Sequence, residues 1–217
     1  MTKSILASGA LLATLAASGM ALAQTAIPKQ TISAVTQPLP TSAQYTLVDQ
    51  PLLRDGLAKA SNGQITVQLS SHAERNLGGA EIVRLVRSGQ VDIGAGTLTT
   101  LSGDVPLLDG IDLSGLSPDI GMARKIADAM LPIANKELER FNTRLVVTYP
   151  FPAQVLFCRQ PFTTLSDLKG RKIRTFGNSL VDLVQTMGAQ PVSIGFPEVY
   201  SALERGVVDC AVTGTGS

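Results

Sequence analysis

Two stretches of this chain repeat one another, and that repeat limits the fold more than any other feature. Val86-Arg87-Ser88-Gly89-Gln90-Val91-Asp92-Ile93 resembles Leu203-Glu204-Arg205-Gly206-Val207-Val208-Asp209-Cys210. Each reads as a helix end, a glycine stop and an aspartate-bearing strand entering a Gly/Thr loop. A helix that stops and turns at once into a strand belongs to alternating β and α elements, and so to parallel sheet. Two such units imply two α/β halves of similar construction. A cleft between them would be lined by Thr97–Thr100 from one side and by Arg174 and Thr213–Ser217 from the other.

The second organising stretch is Asp167 to Asn178, DLKGRKIRTFGN. A basic turn leads into Ile173, Arg174, Thr175 and Phe176, and the run stops at Gly177-Asn178. Leu180, Val181, Leu183, Val184 and Met187 then follow a helical pattern. Strand, tight loop and helix start place Arg174 near the C-terminal end of a strand, beside a helix N-terminus. Open α/β sheets bind anions and small polar ligands there. On spacing alone, a surface arginine and an anion site weigh equally.

The remaining elements alternate in the same way. Strands are expected at 31–36, 65–69, 91–96, 145–148, 154–158, 173–176, 191–194 and 207–212. A helix over about 43–60 must restart or kink at Pro51, because proline lacks the N–H and clashes with the preceding turn. Further helices are expected at 82–88, from Pro118 or Asp119 to Ala129, from Ile133 to Phe141, at 179–187 and from Pro197 to Leu203. Thr164 to Leu168 reads as a capped turn, with Asp167 three residues after Thr164.

Lys3, the apolar run Ile5 to Ala17 and Ala21-Leu22-Ala23 before Gln24 predict a secretory signal peptide over residues 1–23, with a second candidate end at Ala26. The run is too short and too rich in small residues for a membrane anchor. The mature chain is therefore expected to be exported and soluble. Its formal net charge of +1 gives no field for nucleic acid. An aromatic content of 4%, without tryptophan, argues against a stacking binder of single strands or glycans. An oxidising compartment permits a disulfide between Cys158 and Cys210. Both lie in apolar, strand-like runs, so buried thiols are the preferred reading and the bridge stays open.

No catalytic set emerges. There is no G-x-S-x-G elbow, no H-E-x-x-H, and no dinucleotide or phosphate-loop fingerprint, so no cofactor is expected. One histidine, His72, cannot complete a metal cluster, and it reads as a surface loop residue. Asp104, Asp109 and Asp112 lack calcium-loop spacing and read as solvated acids. What remains is an arginine, small hydroxyl residues and backbone N–H groups at strand ends. A guanidinium presents a planar donor fork that matches a carboxylate, and threonines and glycine N–H groups can satisfy its other lone pairs.

At this point the chain resembles a known family. Leu165-Ser166-Asp167-Leu168-Lys169-Gly170-Arg171-Lys172-Ile173-Arg174, then Met187-Gly188-Ala189, then Phe196-Pro197-Glu198-Val199-Tyr200-Ser201-Ala202-Leu203-Glu204-Arg205-Gly206-Val207-Val208-Asp209 is similar to the solute-binding proteins of tripartite ATP-independent periplasmic (TRAP) transporters, in their dicarboxylate-binding-protein-like (DctP-type) branch. Asn76-Leu77-Gly78-Gly79, Glu81 and Ser88-Gly89-Gln90-Val91-Asp92 resemble its N-terminal signature. The likeness is weakest at 100–135.

The resemblance implies a periplasmic-binding-protein-like α/β fold: two α/β domains with a ligand cleft between them, here 27–146 and 147–217. It implies a periplasmic, non-enzymatic and monomeric receptor. Such a receptor captures a small organic acid and delivers it to integral membrane subunits that use an ion gradient. Arg174 would hold the ligand carboxylate. Asn178, Thr213, Gly214, Thr215 and Gly216 would line the same site, with Thr97 opposite and Phe151 and Gln154 from the crossover strand. Pro152-Ala153-Gln154 stands where many members carry glycine and a polar or basic residue, which speaks against a second arginine clamp and leans toward a monocarboxylate. Family members are longer, so the second domain is expected to be incomplete at its C-terminus. An exported α/β enzyme and a receptor for an ATP-driven transporter or sensor are the alternatives.

Overall fold

Alternating apolar runs pair into two separate sheets in the computed structural model, which describes residues 27–214. The expected signal peptide and Thr215, Gly216 and Ser217 lie outside the described residues. The first sheet holds β1 (Gln30–Thr36), β2 (Ile65–Ser71) and β3 (Ile93–Gly94), all parallel, in the order β2-β1-β3. The second holds β4 (Gln154–Cys158), β5 (Lys172–Thr175), β6 (Gln190–Ser193) and β7 (Cys210–Gly214), in the order β4-β7-β5-β6. β5 runs parallel to β6 and β7, and β4 runs antiparallel to β7.

Each sheet has its own core. Val35, Ile82, Val83, Val91, Leu101, Val105, Leu108, Ile111, Ala134 and Leu138 form the first. Its helical elements include α1 (Leu57–Ala60), α2 (Ile82–Arg87), α3 (Leu98–Leu101) and α4 (Ile120–Leu138). Leu168, Ile173, Leu180, Val184, Ala189 and Cys210 form the second, with α5 (Asn178–Thr186) beside them; α6 (Val199–Glu204) precedes β7. A fully buried valine, leucine or isoleucine contributes roughly 1.5–3 kcal/mol, so either core is a substantial source of stability.

The sequence repeat is a structural one, down to its hydrogen bonds. Gly89 and Gly206 both take left-handed backbone, with φ of +72° and +70°. In the first copy, Gly89 N donates to Val86 O, and Gln90 N and Val91 N both donate to Leu85 O. In the second, Gly206 N donates to Leu203 O, and Val207 N and Val208 N both donate to Ala202 O. The aspartates then hold the start of the next strand. Asp92 accepts from Ser33 N and Oγ, each at 2.8 Å, and Asp209 accepts from Lys172 N at 2.8 Å. Short carboxylate bonds of this kind fix the register of a parallel pair whose connection is distant in sequence.

Several expectations need correction. Pro51 does not start a new helix: a π-helical segment, Tyr45–Gly56, carries the chain past it into α1. Its wider turn relaxes the clash that a tighter turn would impose. The two helices expected over 119–141 are one, α4, which passes through Pro132 and starts at Asp119, whose carboxylate accepts from Met122 N. Leu145–Thr148 is not a strand. Asn135 occupies both backbone groups of Leu145, accepting from its N–H at 2.7 Å and donating to its carbonyl at 3.1 Å, so the side chain does what a neighbouring strand would. β3 shrinks to two paired residues.

Cys158 and Cys210 form a disulfide. The antiparallel register of β4 and β7 sets them directly opposite one another, a relation that linear spacing does not contain. The capped turn is present as expected: Thr164 and Asp167 satisfy each other's backbone N–H groups at the start of Leu165–Leu168.

Two outcomes test these contacts. A Cβ on Gly94 would come within 2.4 Å of Ile82 and 2.9 Å of Val86 on α2. Gly94→Ala is therefore expected to cost about 1–3 kcal/mol in urea unfolding through overpacking. The Thr163 and Thr164 N–H groups and the Thr163 hydroxyl bring the Asp167 carboxyl down to about 2. A lowered carboxylate contributes its stability above its ordinary value and loses it as pH falls through the folded one. Amide NMR signals of Thr163 and Thr164 are expected to hold down to about pH 4 and to shift between about pH 4 and 2.

Candidate functional site

Arg174 sits in the middle of the second sheet. Its strand, β5, has neighbours on both sides, with Val192 and Ala211 in register with it. Ile173 and Thr175 are fully buried, and Arg174 is only 3% exposed. A parallel strand covered on both faces takes apolar residues by default, so a buried guanidinium there is the anomaly to explain.

Its surroundings hold it rigid without neutralising it. Nε donates to Ile194 O at 2.8 Å and Nη1 donates to Val212 O at 2.8 Å. The guanidinium carbon lies 4.7 Å from the Phe176 ring centroid, a cation–π contact. Phe176 was not singled out from the sequence, although its position two residues after Arg174 is the strand period that places side chains on one face. Among the described residues, two of the five N–H groups of the guanidinium are engaged, which leaves three. No carboxylate among the described residues forms an ion pair with it. Burial pulls its pKa down to about 10, so at ordinary pH it is a desolvated cation whose free donors suit an anion.

The remaining candidate residues fall into two groups. Thr213 and Gly214 continue β7 just beyond the carbonyl that Arg174 holds, and they pair with Val155 and Gln154 of β4. Gln154 turns its amide onto Pro152 O at 2.9 Å, and Phe151, partly exposed, packs against Tyr149 with ring centroids 6.4 Å apart. These residues gather around one end of the second sheet. Thr215 and Gly216 are outside the described residues.

Thr97 and Asn178 belong instead to a seam between the two lobes. The Thr97 hydroxyl caps α3 and bonds that of Thr100, which donates across the lobes to Phe176 O at 3.0 Å. Asn178 reaches the Ser102 hydroxyl at 3.3 Å. Asp109 accepts from Ser179 N at 2.9 Å and from Ser179 Oγ at 3.1 Å, capping α5 from the other lobe. The α5 N-terminus, expected as an anion site, is therefore already occupied by a protein carboxylate. No sequence signal marks Asp109, because its partner lies 70 residues away.

Other acids and the histidine also differ from expectation. Asp109 is not a solvated acid, and Asp104 pairs with Arg84 at 2.9 Å. His72 is buried and bonds Ala95 O through Nε2 at 2.8 Å, and burial lowers its pKa and keeps it neutral. Among the described residues no group of His, Cys, Asp and Glu is placed to hold a metal ion, and no helix is long and apolar enough to cross a membrane.

The family model described as bacterial extracellular solute-binding protein, family 7 (DctP) matches residues 40–214. The chain is 29% identical over 160 residues to the 2,3-diketo-L-gulonate-binding periplasmic protein YiaO of Escherichia coli, covering 71% of this chain and 48% of that one. It is 25% identical over 161 residues to the sialic acid-binding periplasmic protein SiaP of Vibrio cholerae, covering 73% and 50%. A crystal structure of a Bordetella pertussis extracytoplasmic solute receptor binding pyroglutamic acid superposes with a TM-score of 0.77 at 25% identity, over 85% of this chain and 60% of that one. The chain thus spans about half the length of the curated relatives it matches.

The seam makes its own prediction. A Cβ on Gly177 would lie 2.5 Å from Thr99 Cβ and 2.9 Å from Thr99 O, whereas one on Gly103 would meet nothing within 4 Å. Gly177→Ala is expected to push the lobes apart and destabilise by about 1–3 kcal/mol, seen as a Tm several degrees lower. Gly103→Ala, as control, is expected to stay within about 0.5 kcal/mol of wild type.

Proposed function

This chain belongs to family 7 of the bacterial extracellular solute-binding proteins, the DctP type associated with TRAP transporters, and from that premise we propose that it captures a small organic acid in the periplasm for membrane subunits driven by an ion gradient. The observation that carries the proposal is Arg174: a buried cation, fixed by two carbonyls and an aromatic ring, with three N–H groups unengaged and no carboxylate paired to it among the described residues. A desolvated charge of this kind is costly alone and is relieved by an anion of matching geometry. The relatives named for their ligands bind 2,3-diketo-L-gulonate, sialic acid and pyroglutamic acid, and each of these is a carboxylic acid.

In this reading the lobes correspond to residues 27–146 and 147–217, and the acid sits between them. Arg174 takes its carboxylate. Thr213, Gly214, Thr215, Gly216, Phe151 and Gln154 surround the ligand from the second lobe, and Thr97 and Asn178 border the seam. Gln154 brings no second positive charge, which favours a monocarboxylate bearing keto, hydroxy or aromatic groups over a dicarboxylate. The protein acts as a monomeric receptor and not as an enzyme, and residues 1–23 direct its export.

Calorimetry and thermal shift against keto, hydroxy and aromatic acids test this. An acid that binds is expected to raise Tm, since a ligand at about 100 times its Kd adds roughly 2.7 kcal/mol. Arg174→Met is expected to weaken binding by at least about 30-fold, because truncating one partner of a buried charge pair costs about 2 kcal/mol or more. A panel without any binder, or wild-type affinity in Arg174→Met, would overturn the assignment.

A further inference from the structure

The N-terminus of α5 is fixed by the lobe to which it does not belong. Gly177 precedes the helix and brings no side chain to cap it. A Cβ there has no room against Thr99, so none of the residues that usually cap a helix can stand at this position. Asp109 of the first lobe takes the task, accepting from Ser179 N at 2.9 Å and from Ser179 Oγ at 3.1 Å. It lies in a 3-10 helical segment, Pro106–Ile111, whose Leu108 and Ile111 are buried in the first core. The carboxylate is therefore placed by the packing of one lobe and used by the other.

The same lobe holds the residues just before the helix. Thr100 donates to Phe176 O at 3.0 Å, and the Asn178 amide donates to Ser102 Oγ at 3.3 Å. Ser114 N donates to Ser179 Oγ at 3.3 Å. With Gly177 against Thr99, each residue from Phe176 to Ser179 touches the first lobe.

This segment reaches Arg174 through one side chain. The Phe176 ring lies 4.7 Å from the guanidinium carbon. The carbonyls that the guanidinium bonds, Ile194 O and Val212 O, both belong to the second lobe. Arg174 is thus held by its own sheet through hydrogen bonds and faced by a ring whose backbone the first lobe fixes.

We propose that Asp109 is a positioning residue for the Arg174 site. By capping α5 across the seam it sets Phe176 against the guanidinium, and so sets the direction in which the unengaged N–H groups meet a carboxylate. The inference rests on the carboxylate reading of Arg174 and deepens it, because it makes acid affinity depend on a contact supplied by the opposite lobe. Asparagine caps a helix as well as aspartate does, and its amide can accept from Ser179 N while donating to Ser179 Oγ. The role therefore needs the shape and acceptor of the side chain, not its charge.

The test is NMR of the Arg174 Nε–H, whose resonance carries the ring current of Phe176, in the full chain. Phe176→Leu gives the position without the ring. Asp109→Ala is expected to move the resonance most of the way to that position, and Asp109→Asn to keep it at the wild-type value. Val83→Ala, a truncation in the first core, is expected to leave it in place. If Asp109→Ala fails to fold, Ser179→Ala removes the hydroxyl bond alone and is expected to move the resonance part of the way. Calorimetry with pyroglutamate, gluconate and benzoate then reads the consequence: an acid that binds wild type is expected to bind Asp109→Ala about tenfold more weakly and Asp109→Asn within about twofold. An Arg174 resonance that stays in place in both Asp109→Ala and Ser179→Ala, or wild-type affinity in Asp109→Ala, would overturn this inference and leave the carboxylate reading standing. Failure of every acid to bind wild type, with the resonance moved as expected, would overturn the carboxylate reading and leave Asp109 as the residue that positions Arg174.

Discussion

The guanidinium of Arg174 ties the second sheet together across its three parallel strands. It bonds the carbonyl that follows β6 and a carbonyl within β7, so one side chain fixes both neighbouring strands relative to its own. Those carbonyls compensate part of the hydrogen bonding lost on burial. They do not cancel the charge, and burial still lowers the arginine to about 10. A cation held this rigidly is organised in advance for the ligand proposed above, so little ordering entropy would remain to be lost on binding. The disulfide Cys158–Cys210 acts at the other end of the same ladder. It joins β4 to β7, the strand whose Val212 carbonyl Arg174 uses.

The seam between the lobes depends on polar contacts that reach across the chain. Helix α5 has no capping side chain of its own at Gly177, and Asp109 of the first lobe supplies one. Thr100 bonds the Phe176 carbonyl, and Gly177 packs against Thr99 with no room for a Cβ. Each of these contacts lies within a few residues of Arg174. The geometry of the proposed ligand site is therefore coupled to how closely the lobes approach.

Much of this was legible beforehand, for identifiable reasons. Glycine stops need left-handed backbone, and Gly89 and Gly206 supply it in both copies of the repeat. Strands with period-two patterns, such as β1 and β2, formed where they were expected. The capped turn at Thr164 needs partners only three residues apart. The errors share the opposite property. Leu145–Thr148 has the composition of a strand, but Asn135 takes its backbone groups. His72 looked like a surface residue because its loop is polar, yet the fold closes over it. Asp109 looked idle because its partner is distant.

The sequence by itself determined the alternation of β and α elements, the two-unit construction and the candidacy of Arg174, because all three follow from local spacing and residue chemistry. Tertiary structure alone decided that Arg174 is buried with no carboxylate of the described residues paired to it, that Asp109 occupies the α5 N-terminus, that the cysteines are bonded, and that Gln37, Asp49 and Tyr149 meet. Burial and pairing depend on which distant segments pack together. Local spacing does not specify that, and desolvation, which gives a buried charge or acceptor its significance, exists only once those segments have excluded water.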